Sequence, residues 1–166
     1  RMGMGNTIKR SIFLGSVFLL LSNVGLQAQI VVVVNRDNPI DSLRLSELRQ
    51  IYRAVESRWE YEQQDRTDIM LLDYRRKSKL VDSFYKQVVG LSRMRIRLLW
   101  VGKLLEGELD VLPIAVASET EMLKRISQNT GAIGFVSLAQ FNSSGTLVKS
   151  IKIDGKEFKS KEYPIR

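Results

Sequence analysis

Apolar residues along the chain fall into blocks of two periods. "QIVVVVN", residues 29–35, is a continuous β-branched run. A run without alternation is buried on both faces, and it predicts a strand inside a parallel sheet. "RDNPIDS" follows as a turn centred on Asn38-Pro39. Leu48, Ile51, Tyr52 and Val55 then recur at helical spacing, with Ser46 as the expected cap. "ESRWEYEQQDRTD" is polar around a single Trp59 and predicts a loop. "IMLLD", 69–73, is the second strand. Leu80, Val81, Phe84, Tyr85 and Val88 form the next helical face, opened by Ser78 and stopped by Gly90.

Ser92 caps a third helix with Ile96, Leu99, Trp100 and Leu104 as its core stripe, and "EGELDVLP" breaks it. Ser118 and Glu121 form an S-x-x-E capping box for a fourth helix with Met122, Leu123 and Ile126 inward. Gly131 ends that helix, and "AIGFV" is a third short strand. "NSSG" is a turn, and "TLVKSIKIDGKEFK" predicts a hairpin about Asp154-Gly155. No repeat or low-complexity segment interrupts the order strand, helix, strand, helices, strand. The predicted fold class is α/β: a mostly parallel sheet flanked by helices, with a C-terminal hairpin.

The first 28 residues have a different character. "RMGMGNTIKR" carries only positive charge, "SIFLGSVFLLL" is apolar, and "SNVGLQA" ends in small residues. That is the layout of a secretory signal peptide at 1–28, cleaved after Ala28, ahead of a domain at 29–166. Met2 or Met4 is the expected start. A membrane anchor is the alternative, but the apolar run is short of the ~20 residues a spanning helix needs. The expected location is therefore periplasmic or secreted.

Composition narrows the chemistry. Removing Arg1, Lys9 and Arg10 with the leader leaves 23 cations against 18 acids, a net +5. This suits an anionic ligand or surface without demanding nucleic acid. The chain has no cysteine and no histidine. Disulfides, thiolate nucleophiles, a lipid anchor on cysteine, Ser-His-Asp catalysis and most zinc sites are excluded. An export signal without cysteine fits a bacterial envelope protein.

One feature runs against helix electrostatics. Arg75, Arg76, Lys77 and Lys79 crowd the start of the helix capped by Ser78, an end that already carries partial positive charge. Two readings stand side by side: a solvated basic run, or an anion site built from backbone N–H groups, the Ser78 hydroxyl and one or two of the cations. Asn35 and Asp73 both end strands, where ligands gather in open α/β sheets; each stands between a turn-forming or capping role, the favoured reading, and a place in the crevice of the 75–79 loop. Arg93, Arg95 and Arg97 read as a solvated helix, although Arg93 and Arg97 can share a face. Glu106, Glu108 and Asp110 form an acidic patch with nothing basic or aromatic to make it catalytic.

Several stretches together resemble a known family. "VVVVNRDNPIDSLRLSELRQIYRAVESRW" resembles the start of the second lobe in phosphate-binding proteins of ABC transporters. "NTGAIGFVSLAQ" is similar to that family's Gly-Ala-Ile-Gly-Tyr/Phe-Val strand. "IKIDGKEFKSKEYPIR" resembles its Asp-Gly turn followed by Tyr-Pro-Ile/Leu. The resemblance covers residues 30 to 166 and implies one lobe of a type 2 periplasmic binding fold. Family members run longer, with a first lobe carrying its own anion loop. In the second-lobe loop the family has an Arg, then Ser-Gly-Thr. Here Ser78 falls on the Ser, but Lys79 replaces Gly, Leu80 replaces Thr, and Tyr74 stands at the Arg position beside Arg75. The resemblance implies a non-enzymatic solute-binding domain for phosphate or a similar small anion, tied to ABC-type transport. Its ligand residues would be Asn35, Arg75, Arg76, Lys77, Ser78 and Lys79, with no cofactor or metal. The alternative is an accessory module, with ligand binding lost, that docks on an envelope sensor, porin or transporter.

Overall fold

The computed structural model describes residues 29–59 and 67–166. The expected leader at 1–28 and most of the loop after Trp59 lie outside the described residues. In chain order the elements are β1 (Ile30–Asn35), β2 (Ser42–Leu43), α1 (Leu45–Tyr52), β3 (Arg58–Trp59), β4 (Thr67–Asp68), β5 (Met70–Tyr74) and α2 (Lys79–Phe84). Then follow α3 (Arg93–Leu105), β6 (Ile114–Val116), α4 (Glu119–Ser127), β7 (Ala132–Ser137), α5 (Leu138–Asn142), β8 (Val148–Ser150) and β9 (Lys152–Ile153).

The main sheet has the order β6-β5-β7-β1-β8. β5 runs parallel to β6 and β7, whereas β1 runs antiparallel to both β7 and β8. Four strands therefore share a direction and β1 alone opposes them. The α/β class and mostly parallel sheet are as expected from sequence, but the valine strand is the exception to the parallel order. Its unbroken apolar run reports burial on both faces, which holds for every residue of β1, and carries no information about strand direction.

Local rules placed most elements. Ser78, Ser92 and Ser118 each accept a hydrogen bond from the backbone N–H three residues on, opening α2, α3 and α4. In α1 the expected cap moves. The helix starts before Ser46, the Glu47 carboxylate accepts from the Arg44 N–H at 2.7 Å, and Asp154 Oδ1 accepts from the Leu45 N–H at 2.9 Å. That second cap comes from a turn 109 residues away, beyond the reach of any local pattern. Val55 lies past the end of α1 and is exposed.

The Asp154-Gly155 turn forms, with both residues at positive φ (51° and 72°). Ile153 and Lys156 exchange both backbone hydrogen bonds across it, at 3.0 and 2.9 Å. The expected hairpin is only this one pair long, because β8 stays beside β1 while β9 leaves to pair in parallel with β2. The sequence pattern also did not anticipate β6 or α5.

A last difference positions the site. After Phe84 the helix widens to a π turn, Tyr85–Val89, closed by Gly90 at φ 70°. Tyr85, the first residue of that turn, is buried beside Phe84, which stacks on Phe135 at 3.7 Å. The carbonyls freed at this end are taken by α1: Arg49 donates to Val88 and Arg53 to Val89. Trp100 Nε1 donates to the Tyr52 carbonyl at 2.8 Å and pins α3 to the end of α1.

Candidate functional site

β5, β6 and β7 point their C-terminal ends the same way, and the loop Arg75–Lys79 leaves the middle of that edge. Asp73 sits one residue before the end of β5 and is 2% exposed. A buried carboxylate needs partners to remain charged. Tyr85 supplies one, donating its phenol proton to Asp73 Oδ1 at 2.8 Å. Arg93 and Arg97, one turn apart on α3, bring guanidinium nitrogens to 3.4 and 3.6 Å from Oδ2. Arg97 also donates to the Tyr74 carbonyl at 3.1 Å. Burial, reinforced by the Asp73 charge, pushes the Tyr85 phenol far above its usual range, so it acts as a donor only.

Lys77, Arg93 and Arg97 meet in a hollow of about 280 Å³ whose other walls are Met94, Leu98 and Val101. Three cations thus line one hollow, and two of them also reach the buried Asp73 carboxylate. Arg93 is 8% exposed, and its Nε has no hydrogen-bond partner. An orphan buried donor costs ~1–3 kcal/mol; an acceptor entering the hollow would be stabilised by the positive charge of its three lining cations. Among the described residues no group of three or more metal-ligating side chains comes together.

The structure divides the predicted site residues. Arg75, Arg76, Lys77, Ser78 and Lys79 stay together in one exposed loop. Of these, Lys77 lines the hollow. Ser78 Oγ is engaged as the α2 cap, accepting from Val81 at 3.2 Å. Arg75 turns toward β6, its Nε donating to the Ala115 carbonyl at 3.1 Å. It also lies near Glu121, whose carboxyl is held below the usual range first by the Ala117 N–H and then by Arg75 and Arg125.

Asn35 does not join them. Because β1 runs against β5, its end lies at the opposite edge of the sheet, next to the start of β5. There Asn35 Nδ2 donates to the Ile126 and Ser127 carbonyls at 2.9 and 3.0 Å, and Oδ1 accepts from Asp37. It closes the end of α4 and a turn, so no crevice is shared by Asn35 and Asp73. Arg93 and Arg97, expected on a solvated helix, instead reach Asp73 and line the hollow. The signal was their i, i+4 spacing, which needed an acid across from it to gain meaning.

No protein-family model matches the chain, and no curated protein sequence does either. Solved structures do. An ABC-type phosphate transport receptor from Vibrio cholerae superposes with a TM-score of 0.59 and 23% identity over 78% of this chain and 47% of its own. A protein from Clostridium perfringens, named for phosphate ABC transport and solved with phosphate bound, gives 0.64 and 21% over 82% and 51%. PstS from Borrelia burgdorferi gives 0.65 and 14% over 82% and 53%.

The chain shares its fold with about half of each of these proteins.

It spans about half the length of each of these proteins, so the resemblance inferred from its motifs holds at the level of the fold. Within that fold the hollow beside Asp73 lies where doubly wound sheets place ligands, outside the C-terminal ends of parallel strands. No helix among the described residues is long and apolar enough to cross a membrane.

Proposed function

We propose that this chain is a non-enzymatic, exported solute-binding domain that holds phosphate or a similar small oxyanion, in connection with ABC-type transport. The observation that carries the reading is the hollow lined by Lys77, Arg93 and Arg97, the two arginines also reaching Asp73. Guanidinium and ammonium groups at a partly desolvated edge favour a compact, multiply charged acceptor over chloride. The fold supports the same reading, since the similar structures are phosphate receptors.

The test is thermal unfolding of the protein in phosphate, in sulfate and in chloride at matched ionic strength. Binding stabilises by about 2.7 kcal/mol at a ligand concentration of 100 Kd, and general screening acts without regard to the anion. Phosphate should raise the melting temperature well beyond chloride, and the excess should vanish when Lys77 and Arg97 are both replaced by Gln. Equal shifts in phosphate and chloride would overturn the reading.

A further inference from the structure

α3 is apolar on two opposite faces. Ile96 and Trp100 face the core. Met94, Leu98, Val101 and Leu105 lie on the far side and are 75, 68, 42 and 82% exposed. At 3.6 residues per turn these four fall within roughly 60° of arc, and their spacing of four, three and four is that of a helix-pairing seam. A helix apolar all round is ordinarily covered on every side.

Two further features say what covers this one. Gly102 stands beside the seam in the helix interior, where glycine costs ~1 kcal/mol relative to alanine. An added Cβ there would meet nothing within 4 Å, so the folded chain itself has no packing use for the glycine. A second helix lying close on the seam has one. The charges then choose the helix. α3 begins with Arg93, Arg95 and Arg97 and is followed by Glu106, Glu108 and Asp110. A parallel pair of such helices sets like charge against like. An antiparallel pair sets each basic start on the other's acidic end.

We propose that α3 is a dimerisation helix that packs antiparallel on α3 of a second copy of this chain. The contact is isologous: Met94 lies against Leu105 of the other copy and Leu98 against its Val101. On the flank carrying Gly102, Arg95 of each copy meets Glu106 of the other. A single helix pair is smaller than the ~800 Å² per partner of a standard interface, so the dimer is reversible. The proposal does not rest on anion binding. Met94, Leu98 and Val101 also line the hollow, so pairing closes one of its sides.

The absence of cysteine from the sequence makes the test direct. Full chains bearing Met94→Cys and Leu105→Cys are oxidised separately and as a mixture, without added phosphate. The mixture should give a disulfide-linked dimer and neither variant alone should do so. Adding Arg95→Glu to both chains should lower the yield at least tenfold, and adding Glu106→Arg as well should restore it. Both changes suit the helix dipole, so lost folding does not explain a lost cross-link. Gly102→Ala should raise the melting temperature of the dilute chain while weakening cross-linking. No cross-link in the mixture, or Met94→Cys chains linking to each other as readily, would overturn the proposal.

Discussion

Tyr85 and Asp73, 12 residues apart, are joined by a buried hydrogen bond of 2.8 Å from the phenol to the carboxylate. The bond joins the end of α2, where the π turn begins, to the end of β5. It leaves Asp73 Oδ2 for Arg93 and Arg97, and so fixes the wall of the hollow.

Removing the carboxylate should be costly. Asp73→Ala strands the buried Arg93 charge, and loss of one partner from a buried ion pair costs about 3–5 kcal/mol. Asp73→Ala with Arg93→Met should recover much of that, since the charge is gone from both sides. Tyr85→Phe should cost about 1–3 kcal/mol, the range for a buried polar group left unsatisfied. Urea unfolding of the three variants measures the differences.

Alkaline pH should unfold the chain. Burial, more than any neighbouring charge, raises the phenols of Tyr52, Tyr74 and Tyr85 above their usual value, and raises Tyr163 to about 12. A group whose folded pKa is raised adds stability that is complete below its unfolded value, about 10 for tyrosine, and that is lost as pH climbs from there toward the folded value. Phenolate absorbance from these four should therefore appear together with loss of far-UV circular dichroism. A rise worth more than one tyrosine while the dichroism is intact would contradict this; Tyr61 lies outside the described residues.

Two glycines at β7 should respond differently to alanine. At Gly131 the new methyl would stand 2.4 Å from the Asp68 carbonyl oxygen, a backbone atom. The Gly131 carbonyl also accepts from Trp59 Nε1 at 3.0 Å, so a shift there disturbs a second contact. At Gly134 the nearest atom is the Met122 sulfur, also at 2.4 Å, but a methionine side chain can move aside. Gly131→Ala should cost about 1–3 kcal/mol, the usual range for overpacking, and Gly134→Ala less. Chemical denaturation of both settles the order.

Among the cations, position should outweigh proximity in sequence. Arg97→Gln removes a wall of the hollow and should abolish most of the phosphate-specific rise in melting temperature. Arg75→Gln acts on a side chain turned to the Ala115 carbonyl and should leave most of it. Isothermal titration with phosphate, run on both variants, distinguishes them; equal losses would move the site to the loop itself.

The sequence by itself determined what depends on near neighbours. Three serine caps, the Asp154-Gly155 turn, the buried valine strand and the inward stripes of α2 and α4 follow from spacing, propensity and the burial they imply, and with them the α/β class. Tertiary structure alone decided what depends on strand direction and on partners far along the chain. The direction of β1 sent Asn35 to the wrong edge of the sheet for a shared site. Packing set the Tyr85 phenol against Asp73. Arg93 and Arg97 came to line the hollow only because α3 crosses the end of β5, where their charge meets a carboxylate 20 residues away in the case of Arg93. A side chain's charge is written in the sequence, whereas the field it stands in is the sum over neighbours that folding brings together.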